Sequence, residues 1–380
     1  MKKHLLIIDP IVIAGGSKSA SQLAISHADL SRYDITVLTN DPESWSKLEA
    51  RYIPIRTLSF IRTAQHGVLF LMAHLLVTLN MLWVAIRYGK PELVIGASSP
   101  NVDMSIYFLR KVFNFQWLQF VHGDVPQSRL SGKALLATDS LAMLKSSEAS
   151  VKNVVKSVAN DEQFHHLFTR SQTFTFDNGL DENQWPTRSH QEKPVVYWAA
   201  SLLKWKGLDT LIEAYRTSEL PKANICYIAP KDMPHGVTKA PVKLEHVAWH
   251  EKPNNLDELR TNSSIFVSTS QREPFGLSIL EAMAAGLAVI IPADGAYWDE
   301  KLHNELTCIK YTPNDSEDLS RAIKRLANDD VLRADIGKRA FHLAQHYRAQ
   351  ACYLLIAQVI DAVADGALTQ RVFDEKRHAH

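Results

Sequence analysis

Two glutamates carry the clearest chemical signal in this chain. Glu273 and Glu281 stand eight residues apart in the run Glu273-Pro274-Phe275-Gly276-Leu277-Ser278-Ile279-Leu280-Glu281. Leu277, Leu280, Ala284 and Ala285 recur at helical spacing, and Gly286 reads as the stop. Eight residues of helix rise about 12 Å. The pair can therefore flank a long ligand with a helix N-terminus between them. Such a terminus offers unpaired N–H groups and partial positive charge, which suits a phosphate or diphosphate. A carboxylate beside it suits sugar hydroxyls. The plainer alternative makes Glu273 an electrostatic helix cap and Glu281 a solvated surface residue.

The flanking elements explain how such a pair is held. Ile265-Phe266-Val267 and Ala288 to Ile291 are short apolar runs, the kind that fills a parallel sheet buried on both faces. Ser268 to Arg272 forms a polar loop after the first run. Pro292 and then Asp294-Gly295 close the second. Strand, loop, helix, strand is an α/β unit, and in such units ligands bind at the carboxyl ends of the strands.

The run EPFGLSILEAMAAGLAVI resembles the E-x7-E segment of retaining glycosyltransferases of the GT-B fold, the group 1 or family 4 set. The resemblance implies that Glu273 acts at the reacting centre. It also implies that Glu273, Pro274, Phe275 and Gly276 meet the donor sugar, that Gly276 and Leu277 meet its diphosphate, and that Glu281 holds the ribose. Upstream, Ala200-Ser201-Leu202-Leu203-Lys204-Trp205-Lys206-Gly207 resembles the segment in which the family grips the diphosphate with an Arg and a Lys five residues apart. Lys206 matches the Lys. Ser201 stands in the Arg place and Ala200 where Gly is usual. A Ser donates one hydrogen bond and carries no charge, whereas Arg gives a bidentate clamp. Lys204 is the candidate for the missing charge. Without the resemblance, both lysines read as a solvated helix entry.

The first half follows the same alternation of strands and helices. Leu5 to Ile8 is a strand, and Gly15-Gly16-Ser17 opens a helix, a combination that makes an anion-binding concavity. The resemblance places Gly15 and Gly16 at the donor phosphates or the acceptor. The full G-x-G-x-x-G fingerprint of dinucleotide binding is absent, which argues against a dehydrogenase. His122-Gly123-Asp124 follows the strand Trp117 to Val121. The resemblance makes His122 a site residue beside the reacting sugar, with Asp124 a weaker companion; the plain reading is a loop histidine satisfied by backbone. Ser146-Ser147-Glu148 and Asn178-Gly179-Leu180-Asp181 resemble further family turns and read as structural. In the second half, Ile225 to Ile228 and Leu244 to Val247 read as strands. The resemblance makes Ala229-Pro230-Lys231 and Trp249-His250 alternative nucleobase contacts after them, and implies that Ala296-Tyr297-Trp298, bulky where the family often has a second Gly, shapes the sugar pocket.

Gly67 to Ile86 carries no acidic or basic side chain except His74. Its length qualifies it as a membrane-span candidate. It falls between two strands of an α/β unit, so a core helix or a helix resting on a membrane surface compete with a span. Arg51, Arg56, Arg62, Arg87 and Lys90 would favour anionic headgroups in the surface case, making 51–90 the membrane-facing region, and are otherwise a solvated rim.

Composition sets the outer bounds. A chain of 380 residues predicts two domains. With 42 Lys and Arg against 41 Asp and Glu, a strongly basic nucleic-acid surface is not indicated. Three scattered cysteines suggest no disulfide framework and no metal cluster, and fit a reducing compartment. The apolar start MKKHLLIIDP is broken by Asp9-Pro10 and reads as a strand rather than a signal peptide.

The resemblance implies an α/β architecture: a GT-B fold of two Rossmann-like, doubly wound parallel-sheet domains facing a cleft. Residues 1–186 form the acceptor-side domain and 187–350 the nucleotide-sugar domain, with the polar, proline-containing stretch Glu182 to Pro194 between them. Residues 351–380 form a helix crossing back to the first domain and a frayed tail. The expected activity is a retaining, metal-independent transfer from a nucleotide diphosphate sugar, with UDP-sugars first, to a saccharide or lipid-linked acceptor in bacterial surface polysaccharide or glycolipid synthesis. No cofactor beyond the donor is expected. The expected location is cytoplasmic, peripheral on the inner face of the cell membrane. A nucleotide-sugar epimerase or hydrolase of the same fold, and a non-catalytic sugar-nucleotide-binding protein, are the alternatives.

Overall fold

A computed structural model of the chain describes residues 2–12, 15–57, 67–229 and 236–366. Arg62, Pro230, Lys231 and the tail 371–380, candidates on sequence, lie outside the described residues. The chain divides into two units, Met1–Asn178 with Cys352–His380, and Gly179–Ala351.

In the first unit, β1 (Lys3–Asp9), β2 (Tyr33–Thr39), β3 (Arg51–Ile53), β4 (Leu93–Gly96), β5 (Gln116–Val121), β6 (Ser140–Leu144) and β7 (Thr173–Phe176) make one sheet. Every pairing is parallel, in the order β3-β2-β1-β4-β5-β6-β7. Leu5, Leu6, Ile7 and Ile8 are wholly buried, because a parallel strand is covered on both faces. The covering helices are α1 (Gly16–Ser26), α2 (Gly67–Tyr88), α3 (Met104–Leu109), α4 (Arg129–Leu136), α5 (Glu148–Lys156) and α6 (Asp161–Thr169). Asn160 and Gln163 close a reciprocal capping box at the start of α6, which satisfies two N–H groups left free by helix geometry. The order of strands reverses between β1 and β4, so loops after these two strands diverge and leave a crevice at their carboxyl ends.

The second unit repeats the plan. β8 (Val196–Ser201), β9 (Ala223–Ile228), β10 (Val247–Glu251), β11 (Ile265–Val267), β12 (Ala288–Pro292) and β13 (Ile309–Tyr311) pair in parallel in the order β10-β9-β8-β11-β12-β13. The helices are α7 (Leu208–Thr217), α8 (Leu256–Thr261), α9 (Leu277–Ala284), α10 (Tyr297–Lys301), α11 (Ser316–Asn328), α12 (Asp330–Ala344) and the short α13 (Ala349–Cys352). Here the order reverses between β8 and β11.

Two features differ from the sequence expectation, the strand near Val247 and the division between units. The strand expected over Leu244 to Val247 instead runs Val247–Glu251, with Val247 opposite Ala223. His246 holds a left-handed φ of 61° and ends the preceding turn, so the extended register can begin only after it. Trp249 and His250 therefore lie within β10 rather than in a loop. Trp249 packs on the Tyr227 ring, and His250 Nε2 meets Asn224 Oδ1 at 3.3 Å. The division between units falls at Asn178, before the polar stretch Glu182 to Pro194. That stretch is bound to the second unit, where Ser189 N donates to Ala285 O and its hydroxyl lies 2.8 Å from Thr261 O and 2.7 Å from Ser263 O, within reach to donate its one proton to either. Gly179 is structural, since a Cβ there would lie 2.8 Å from Ala349 Cα.

The last helix, α14 (Leu354–Asp365), belongs to the first unit. Tyr33 donates its hydroxyl to Ile360 O at 2.7 Å, Lys3 Nζ donates to Val363 O at 2.6 Å, and Asp29 N donates to the Asp361 carboxylate at 2.8 Å.

Candidate active site

The second unit gathers its charged residues at the reversal point of its sheet. β8 ends at Ser201, which pairs with Ile228. A single 3-10 turn over Lys204–Lys206 follows, then Gly207 in the left-handed region with φ 69°. The loop after β11 lies against this turn. Gln271 N donates to Trp205 O at 2.8 Å, Thr269 Oγ1 donates to Lys206 O at 2.7 Å, and Trp198 Nε1 donates to Thr269 Oγ1 at 2.9 Å. The two loops are thus joined, and the joint brings Lys206 Nζ into direct ion-pair contact with Glu273 Oε2. Both side chains are 17% exposed, so the pair is shielded yet reachable from solvent. The Lys206 ammonium also lies 4.0 Å from the Trp205 ring centroid, a cation–π arrangement.

The turn between Glu273 and α9 is rigid for a different reason. Phe275 is buried with its ring 4.8 Å from Tyr297, 5.2 Å from Trp298 and 6.0 Å from Tyr347. Trp298 Nε1 donates to Gly276 O at 3.3 Å. Tyr297 and Trp298 are themselves buried. They anchor the turn from beneath. Phe275 can meet a ligand through its backbone only. Gly276 precedes α9 at φ 78°, with no side-chain cap and no acidic residue in the first turn. The first N–H groups of α9 are therefore unclaimed by side chains, which favours an anion there.

Glu281 lies further along α9 and takes a different partner. Its Oε2 accepts from Arg260 Nη2 at 2.7 Å, while Arg260 Nη1 donates to Asp257 at 3.0 Å. Burial raises the Glu281 carboxyl above its ordinary value, against the opposing pull of Arg260. Arg260, itself buried, was not singled out on sequence; an Arg on a short helix carries no local signature. Lys204 pairs with Asp209 at 2.7 Å on the surface, and the contact at Glu273 is made by Lys206.

The first unit assembles a second group of polar residues around the ends of β1, β4 and β5. Gly15 caps α1 with extended backbone, and a Cβ there would meet nothing within 4 Å. Packing does not require a glycine at that position. Gly16 is the first residue of α1. Beneath the start of α1, buried Lys18 Nζ lies 3.0 Å from Asp9 and 2.8 Å from Asp41. Asp9 also accepts from Trp45 Nε1 at 2.8 Å. This buried triad ties the end of β1 to α1, and nothing in local spacing announced it.

His122, just past β5, sits between the rings of Phe120 and Phe176. Its Nε2 is 2.7 Å from Ser21 Oγ, and Ser21 donates its hydroxyl to Ala97 O at 2.8 Å. A carbonyl can only accept, so the single Ser21 proton is committed and His122 Nε2–H is the donor. Nδ1 then carries a lone pair, and that atom is buried with no partner. Burial pulls the imidazole down to about 4, so it is neutral near pH 7.

This has a consequence for stability. An unfolded histidine titrates near 6.5 and the folded one near 4, so the unfolded chain binds the extra proton as pH falls. Stability conferred by the neutral imidazole is present above 6.5 and lost on acidification, by about 2 kcal/mol between pH 7 and pH 5. His74, pulled down to about 4 by burial, acts in the same sense. Asp103, pushed up to about 7 by burial, acts in the opposite one. The His122→Gln variant keeps a donor for Ser21 but cannot titrate. Denaturant unfolding at pH 7 and pH 5 is expected to show an acid loss about 2 kcal/mol smaller in the variant than in wild type. An unchanged loss would mean that the imidazole titrates normally in the fold.

Against known proteins, residues 181–343 match the family model for "Glycosyl transferases group 1". The second unit is a domain of that family. An N,N'-diacetylbacillosaminyl-diphospho-undecaprenol alpha-1,3-N-acetylgalactosaminyltransferase of Campylobacter jejuni is 28% identical over 196 residues, which is 51% of this chain and 50% of that protein. The chain spans half or less of the length of the curated relatives it matches. Among solved structures, sucrose-phosphate synthase from Thermosynechococcus elongatus is similar with a TM-score of 0.72 at 18% identity, covering 96% of this chain and 100% of that one. Anabaena HepE, solved in complex with UDP-glucose, is similar with a TM-score of 0.70 at 16% identity, covering 94% and 99%. These likenesses establish the fold as GT-B, with two parallel sheets flanked by helices.

Proposed function

We propose that this protein is a retaining glycosyltransferase that moves a sugar from a nucleotide diphosphate sugar, UDP-sugars first, to a hydroxyl of a saccharide or lipid-linked acceptor. One observation carries the reading: Lys206 and Glu273 are in contact at the reversal point of the second sheet, next to the uncapped start of α9. In the transfer, the bond from the sugar's anomeric carbon to the diphosphate breaks, and its electron pair leaves with the diphosphate. The acceptor hydroxyl's oxygen takes its place at that carbon, and the hydroxyl proton passes to the leaving diphosphate oxygen. Lys206 and the α9 N–H groups are positioned where that charge develops, which is how such sites lower a barrier. They supply the positive charge that a metal provides in other designs, so the proposed reaction is metal-independent and uses no cofactor beyond the donor.

The other roles follow from chemistry. Glu273 is paired with Lys206. Once a diphosphate draws the ammonium away, the carboxylate is free to accept from donor-sugar hydroxyls. Glu281, oriented by Arg260, offers an oxygen to the ribose. His122 is assigned a place beside the donor sugar, held there by Ser21, and Gly15 and Gly16 leave room for phosphate or acceptor. The Campylobacter relative, by its name, acts on a diphospho-undecaprenol-linked sugar, which supports a lipid-linked acceptor in bacterial surface glycan or glycolipid synthesis. That acceptor would place the protein in the cytoplasm, on the inner face of the membrane. The HepE complex supports UDP as the carrier.

Ser201 favours one competing reading, a protein that binds sugar nucleotides without transfer. A thermal-shift screen of UDP, GDP, ADP and UDP-glucose, with wild type beside Glu281→Ala, separates the cases. Ligand at a hundredfold excess over its dissociation constant adds about 2.7 kcal/mol to apparent stability. A shift with one nucleotide that vanishes in Glu281→Ala supports the ribose role, and transferred product detected by mass then supports catalysis. No shift with any of the four, and no product, would sink the proposal.

A further inference from the structure

Among the described residues, α2 is the helix long and apolar enough to cross a membrane. In this fold one of its faces is already committed. Val77, Met81 and Val84 are buried in the first unit's core with Leu6, Ile8, Val94 and Trp117. Thr78 donates to Ser105 O at 3.2 Å. Asn80 clamps the Arg56 backbone from both sides, accepting from its N–H and donating to its carbonyl, each at 3.0 Å. Spanning a bilayer would strip these contacts and separate β3 from β4 in the chain.

The opposite face is uncovered. Val68, Met72, Leu75, Leu79, Trp83 and Ile86 succeed one another at steps of three and four residues, the spacing of one helix face. The stripe runs about 27 Å along the axis. Ile86 is 81% exposed and Val68 73%. Half of the large apolar side chains exposed among the described residues stand on this one helix. A stripe of this kind marks an interaction surface in an otherwise polar exterior.

Charge identifies what covers it. The helix carries no Asp or Glu, and its only charged residue is Arg87, in the last turn. Lys90 follows, and Arg56 is held beside the middle of the helix by Asn80. All three are exposed and form no ion pair among the described residues. Trp83 packs edge-on against Tyr88 at 5.9 Å near the cationic end, the aromatic pairing that sits at headgroup depth. A protein partner of this footprint would need about one hydrogen bond per 100–200 Å², and the stripe offers almost no polar atom. Hydrocarbon edged by cations fits a lipid surface.

We propose that α2 lies in the plane of an anionic membrane interface, with its apolar stripe among the acyl chains and Arg56, Arg87 and Lys90 against headgroup phosphates. The inference does not depend on sugar transfer, and nucleotide binding serves as an independent readout.

The test uses the full chain and sedimentation with vesicles of phosphatidylcholine alone, or of phosphatidylcholine with phosphatidylglycerol. Binding is expected to the anionic vesicles and to weaken as salt rises. Leu75→Glu/Leu79→Glu is expected to abolish it. Arg87→Glu/Lys90→Glu is expected to weaken it by about fivefold or more per charge. Both variants should keep the wild-type thermal shift with nucleotide, which shows the fold intact. Should the first variant unfold, Val68→Ser/Ile86→Ser is read in its place. Failure of wild type to sediment with anionic vesicles at low salt would overturn the proposal. So would a vesicle-free dimer that Leu75→Glu/Leu79→Glu splits into monomers, because the stripe would then be covered by a second copy.

Discussion

Lys206→Ala is expected to lower kcat/KM for the proposed sugar transfer by about 10²–10³-fold, with most of the loss in kcat, because in that proposal the lysine acts on charge that develops only as the diphosphate leaves. Its structural cost is expected to be small, about 1–2 kcal/mol. The Lys206–Glu273 pair is partly exposed, and such pairs contribute less than buried ones. The loss has two parts that can be separated. Removing the lysine takes away the positive charge and also leaves Glu273 unpaired beside the proposed diphosphate site. Adding Glu273→Gln to Lys206→Ala removes that repulsion. Nucleotide affinity should therefore recover in part while the transfer rate does not, a coupling that a double-mutant cycle reads directly. Strictly additive losses would mean the contact between the two side chains is incidental.

Gly207→Ala is expected to destabilise the second unit by about 3–5 kcal/mol, a drop of about 10 °C in its Tm. The position is left-handed, at φ 69°, which already penalises any residue with a Cβ by about 1 kcal/mol. A methyl group there would also stand 2.1 Å from Thr269 O. Relief requires the β8 and β11 loops to part, and those loops hold Lys206 against Glu273 through the Thr269 hydroxyl. Calorimetry should show the lost stability, and the nucleotide-induced shift should shrink beyond what stability alone explains. A variant with wild-type Tm and wild-type nucleotide response would show that the loops can open at no cost and that their joint does not position the pair.

Sequence alone determined the alternation of buried strands and helices, the presence of two units and the helix that carries Glu281. It could do so because strand and helix periodicity, left-handed glycines and the spacing of carboxylates along one helix are local properties of the chain. The short apolar strands and the stop at Gly286, with φ 80°, were legible for that reason. Tertiary structure decided the rest. The Lys206–Glu273 contact joins residues 67 apart and the Ser21–His122 contact joins residues 101 apart. Both exist because crossovers place distant strands side by side. Arg260 and Glu281, 21 residues apart, meet only in the folded chain. Trp249 and His250 entered β10 because His246 turns the chain before them. The apolar run Gly67 to Ile86 was visible at once, but which of its faces the sheet would cover was not. A helix repeats all its faces every few residues, and only its neighbours select the one to bury.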